Sequence, residues 1–151
     1  MADARGLQIN KDIFEFEEFI DVLSDKLPKT FRYSTRHRHL EEHVIEMRHY
    51  TNLACRTPKW NKKEKVTLFS MASGFALDVA DDLDHEYNRH WLTDKGKARA
   101  DLMLDGIRAE LSKLINAMSR EIDTRQSARS TQCAESATFK RSDNCQSQID
   151  L

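Results

Sequence analysis

Four stretches of this chain repeat apolar residues every three or four positions, and very little between them can make a tight turn. In the first, Ile13, Phe16, Ile20, Leu23 and Leu27 fall on one face of a helix. Pro28 ends it, because the residue before a proline is pushed out of the α region. The second opens after Ser34, a residue suited to N-capping, and runs through Leu40, Val44, Met47, Thr51 and Ala54 before Pro58. The third follows Asn61, another residue suited to capping, with Val66, Phe69, Ala72, Ala76, Val79 and Leu83. The fourth opens at Thr93, within Thr93-Asp94-Lys95-Gly96, and carries Leu104, Ile107, Leu111, Leu114, Met118 and Ile122. Four Gly and two Pro in 151 residues are too few for the turns of a sandwich, a barrel or a Gly-loop nucleotide fold.

Each stripe covers about a third of its helix, so each helix must bury it against the others. The second to fourth helices span roughly 20–30 residues, or about 30–45 Å. Short connections join antiparallel neighbours most easily, which predicts an all-α protein, an antiparallel up-down-up-down four-helix bundle. Residues 11–123 form this bundle, after a flexible N-terminus at 1–10. From Thr124 the periodicity fails and Ser, Thr and Gln dominate. Too little apolar area remains to offset the entropy of ordering, so 124–151 is expected to be a disordered polar tail.

No window approaches the ~18 consecutive apolar residues of a membrane span. Met1 to Asp12 mixes charges with apolar residues and has no signal-peptide core. Three widely spaced cysteines (Cys55, Cys133, Cys145) suit a reducing compartment, so a cytoplasmic protein is expected.

The net charge of −1 hides a segregated distribution. Residues 1–27 hold three basic and seven acidic side chains, and 28–65 hold ten basic and four acidic. Residues 66–92 return to one basic and five acidic. The positive block has two parts. Lys26, Lys29, Arg32, Arg36 and Arg38 come with His37 and His39 and with no acid until Glu41, and Arg56, Lys59, Lys62, Lys63 and Lys65 surround Trp60. Such clusters attract phosphate by Coulomb steering and counterion release. They are equally what charge complementarity within an assembly needs, with Asp78, Asp81, Asp82, Asp84 and Glu86 as partners. Arg36 and Arg38 stand in the first turns of a helix, where a cation opposes the helix dipole and an external anion would offset the cost. Replacing Lys29, Arg32, Arg36 and Arg38 by Gln is therefore expected to leave folding intact.

Catalytic patterns are sparse. His39 and His43 with Glu42 match an H-x-x-E-H zinc-peptidase spacing, but a third ligand and a cleft are missing, so the two histidines are expected to be surface or boundary residues. Cys55 is expected to be a small boundary residue, and Ser70, Ser73 and His85 have no nucleophile-turn spacing. The acidic run 78–86 is spread around its helix and lacks a calcium-loop Gly turn. No enzyme, metal site, cofactor or small-molecule substrate is expected.

The junction Leu27-Pro28-Lys29-Thr30-Phe31-Arg32-Tyr33-Ser34 resembles the (F)PK-x-x-R-(F/Y)-(S/T) junction of a small four-helix-bundle family. That family comprises the accessory variability proteins of diversity-generating retroelements and the proteins encoded by intervening sequences in bacterial large-subunit ribosomal RNA genes. Leu92-Thr93-Asp94-Lys95 is similar to the family's L-(S/T)-x-K opening of the last helix, and the helix order agrees from about residue 12 to 123. The chain departs from the family at Leu111-Ser112-Lys113-Leu114-Ile115, where a Gly-Gly-Trp type segment is common, in its low net charge, and in its polar tail. The resemblance implies a non-enzymatic homo-oligomer, a pentamer, that binds a reverse transcriptase and its template RNA through basic surfaces and supports mutagenic copying. The matching positions are Lys29 and Arg32, extended by Arg36 and Arg38. The alternative is an interaction bundle of the intervening-sequence type with no nucleic-acid role.

Overall fold

The computed structural model describes the backbone of residues 4–149 and the side chains of residues 8–132. Five helices follow in order: α1 (Ala4–Lys26), α2 (Lys29–Arg32), α3 (Thr35–Arg56), α4 (Lys62–Asn88) and α5 (Asp94–Ile149). No strand occurs among the described residues. The protein is all-helical, as the four stripes require. Helix α1 packs on α3 and α5, and α4 packs on the same two.

The stripes form one core. Ile13, Phe16 and Ile20 of α1 meet Leu40, Val44, Met47 and Ala54 of α3 in a single buried cluster. From α4 come Phe69, Ala72, Ala76, Val79 and Leu83, and from α5 Ala100, Leu104, Ile107 and Leu111. Burying a side chain of Leu, Ile or Phe size contributes about 1.5–3 kcal/mol, and this cluster is where the fold gains its stability.

The helix starts and stops follow local chemistry. Ser34 caps α3 by accepting a hydrogen bond from the His37 backbone N–H at 3.3 Å. Thr93 does the same for α5, accepting from Gly96 N–H at 3.0 Å. Asn61 precedes α4 without capping it; its side-chain amide donates to Glu64 instead, at 2.6 Å. Helix α4 ends in a Schellman turn, in which Trp91 N–H reaches Glu86 C=O and His90 N–H reaches Tyr87 C=O. His90 takes the left-handed φ of 62° that such a turn demands.

Three boundaries differ from the sequence expectation. The N-terminus is helical from Ala4, and Ile9, four residues before Ile13, is fully buried, so the stripe of α1 extends one turn further back. The junction holds a one-turn helix, α2, with Arg32 N–H bonded to Pro28 C=O. The last helix does not end at Asp123. It continues to Ile149, and every residue from Thr124 to Gln132 is exposed. The stretch 124–132 has no stripe to bury, as expected, yet its backbone is helical, with Thr124 and Thr131 hydroxyls bonded to Arg120 and Ser127 carbonyls.

Candidate nucleic-acid interface

The two basic clusters lie at opposite ends of α3, whose 22 residues span about 33 Å. They are separate surfaces. At the junction, Lys29, Arg36 and Arg38 are exposed. Arg32 is not available in the same way. Its Nε donates to Ser24 C=O at 3.0 Å, and its terminal nitrogen donates to Asp25 C=O at 2.6 Å and Leu27 C=O at 3.3 Å. A helix leaves its last carbonyls unpaired, and the guanidinium supplies the donors that α1 lacks. Arg32 is thus engaged within the fold, unlike its three exposed neighbours in the cluster. Beside it Phe31 stacks on Trp91, with centroids 4.7 Å apart, and the Arg89 guanidinium lies 5.5 Å from the Trp91 ring centre. These contacts tie α2 to the turn after α4.

At the α3–α4 turn, Arg56, Lys59 and Lys63 are exposed around Trp60, whose own exposure is 79%. Lys62 is ion-paired with Glu121 of α5, and that contact holds the Glu121 carboxyl below its usual range. Lys65 is half-buried, and its charge acts on Cys55. Burial pushes the Cys55 thiol up, away from the reactive thiolate. Lys62 and Lys63 occupy the first turn of α4, where positive charge opposes the dipole.

The acidic run of α4 does not neutralise these clusters. Asp82 contacts His43 Nδ1 at 2.5 Å, Asp84 contacts Lys97 at 2.8 Å, and Glu86 contacts His37. Burial opposes the charge on Lys97, but Asp101 and Asp84 outweigh it and raise its pKa.

The buried polar cluster is a site that sequence reasoning missed. Ser24 of α1, His37 of α3 and Glu86 of α4 are all buried. His37 Nε2 lies 2.7 Å from Ser24 Oγ, and His37 Nδ1 lies 2.6 Å from Glu86 Oε1. The order Ser–His–Glu invites comparison with a hydrolytic triad, but the protons run the other way. The one hydroxyl proton of Ser24 goes to Ile20 C=O at 2.9 Å, so Oγ accepts from His37 Nε2. Activation of a serine needs the reverse. Burial would push His37 down, but the hydrogen bond and charge of Glu86, with Glu41 at 3.2 Å, raise it above its ordinary value. The ring bridges Ser24 through Nε2 and Glu86 through Nδ1, tying three helices together. Nothing in one dimension links positions 24, 37 and 86.

The remaining candidates stay apart. Ser73 and His85 lie twelve positions apart on one helix, about 18 Å along its axis. The His39 and His43 rings are 6.2 Å apart, and His43 is engaged by Asp82. Among the described residues no group of three or more His, Cys, Asp or Glu is placed to hold a metal ion. No helix among them is long and apolar enough to cross a membrane. Comparison with protein-family models and with curated proteins gives no match to the chain, so function has to be read from these residues.

Proposed function

We propose that this chain is a non-enzymatic accessory protein that binds RNA and a reverse transcriptase, its four long helices closing as an antiparallel up-down-up-down bundle. The reading rests on the junction motif and its retroelement resemblance. The observation that carries it is the exposed set Arg56, Lys59 and Lys63 around Trp60, with Lys29, Arg36 and Arg38 at the other end of α3. None of these six cations has a carboxylate within ion-pair distance among the described residues, while Glu86, Asp82 and Asp84 of α4 are taken by His37, His43 and Lys97. Unneutralised Lys and Arg in clusters are the electrostatic footprint of a polyanion partner.

Assembly into a homo-oligomer, a pentamer by the same resemblance, is supported by large apolar side chains left in water. Leu102 is 75% exposed, and Phe14, Val22, Leu77 and Ile45 are also exposed. Apolar side chains of this size left uncovered are the raw material of subunit contacts.

The test is binding of a retroelement template RNA, and co-purification with a co-expressed retroelement reverse transcriptase, by the parent and by variants with Lys29, Arg36 and Arg38, or Arg56, Lys59 and Lys63, changed to Gln. Loss of binding with a reduced salt slope supports the reading. A parent that binds neither partner at low salt leaves the interaction bundle with no nucleic-acid role as the better account.

A further inference from the structure

We propose that the α3–α4 turn and the free stretch of α5 form one surface for single-stranded nucleic acid, with Trp60 as the base-stacking platform and Arg125 and Arg129 as phosphate contacts. The inference rests on the nucleic-acid reading above and specifies where and how the strand is held.

The Lys62–Glu121 ion pair sets the register between the two elements. Glu121, Arg125 and Arg129 follow one another at intervals of four, so they share one side of α5, the side that meets the turn. The Arg125 charge reaches the Glu121 carboxylate alongside that of Lys62. Past Ile122 no residue up to Gln132 is buried, and the stretch 124–132 contains no acid. Together, 56–65 and 120–132 carry eight cationic and three acidic side chains. Two of the three acids are engaged locally, Glu121 by Lys62 and Glu64 by Asn61.

Trp60 gives the surface its selectivity for bases. Trp91 is covered by Phe31, whereas among the described residues no ring stacks on Trp60. An indole left in water amid ammonium and guanidinium groups matches the two needs of a single strand, a π-face for a base and cations for its phosphates. A duplex hides its base faces and would use only the cations. RNA and single-stranded DNA share this chemistry.

The experiment measures binding of the full chain to labelled 20-nucleotide oligo(U) and oligo(dT) over a range of salt, for the parent, Trp60→Leu, Trp60→Phe and the double variant Arg125→Gln/Arg129→Gln. All three positions are exposed, so the melting temperatures should match. Trp60→Leu should weaken binding roughly tenfold at unchanged salt slope, with Trp60→Phe retaining most of the affinity. The arginine pair should lower the slope by about 1.4, near 0.7 per phosphate contact on a single strand. Tighter oligo(U) or tighter oligo(dT) identifies the natural strand, and either supports the surface. Heparin, an acidic polymer without bases, should bind parent and Trp60→Leu alike; an equal loss there overturns stacking. If the parent binds oligo(U) and the Trp60 and arginine variants bind as it does, this surface is overturned while RNA binding through the junction stands. If the parent binds neither strand at low salt, both fall.

Discussion

His37 Nδ1 lies 2.6 Å from Glu86 Oε1 with both side chains 1% exposed, a charge pair that locks α3 to α4 inside the core. Removing Glu86 leaves His37 buried with only the Ser24 hydroxyl and the partly exposed Glu41 carboxylate beside it. Glu86→Ala should therefore destabilise the fold by about 3–5 kcal/mol in urea melts. The double variant His37→Leu/Glu86→Leu should recover most of that loss, because apolar side chains of similar size need no compensation. Equal stability of Glu86→Ala and parent would mean that the pair is not formed.

Two groups make stability fall as pH rises. His37 is raised in the folded state, so its contribution is complete below the ordinary histidine value of 6.5 and is lost as pH climbs through the raised value. Glu110 of α5 is pushed up to about 7 from 4.5, first by burial and then by its hydrogen bond and charge contact with Asp12 of α1, with Lys113 opposing. Its contribution is present below pH 4.5 and is lost on passing pH 7. Melting temperature should thus drop between pH 5 and 8 in the parent, and Glu110→Gln should flatten that drop. An unchanged profile in Glu110→Gln would refute the shared proton.

Arg32 and Lys29 are neighbours in the junction with different tasks. Arg32→Gln removes donors from three carbonyls at the end of α1 and should cost about 1–3 kcal/mol. Lys29→Gln, on an exposed position, should stay within about 0.5 kcal/mol of the parent. Denaturant melts of the two single variants decide the matter, and matching midpoints would remove the capping role.

Residues 124–132 of α5 contribute helix without contributing core. Truncation after Asp123 should reduce the helical circular dichroism signal while leaving the melting midpoint nearly unchanged, since 124–132 bury nothing. Leu111→Asp, which puts a charge at a fully buried position, should cost several kcal/mol. A truncated chain that melts well below the parent would show that the arm is packed.

The sequence alone determined the all-helical class, most helix boundaries and the core. Spacing of apolar residues at three and four positions is a local signal, so Leu40, Val44, Met47, Thr51 and Ala54 were legible together and are all buried. Ser34 was readable as a cap because a cap acts within three residues, whereas Asn61, read the same way, donates to Glu64 and leaves α4 uncapped. Ile9, Leu92 and Ala100 are core positions that the stripes did not include. The helical backbone of 124–132 was not legible either, because a stretch that buries no side chain carries no packing signal. Tertiary structure alone decided the uses of charge. It assigned Arg32 to the carbonyls of α1, joined Ser24, His37 and Glu86 from three helices, and brought Glu121 of α5 to Lys62. A periodic stripe repeats along one helix and can be counted, whereas a hydrogen bond between residues 49 positions apart depends on how two rods are set against each other. That setting is fixed only when the stripes have been buried, and the fate of each charge follows from it.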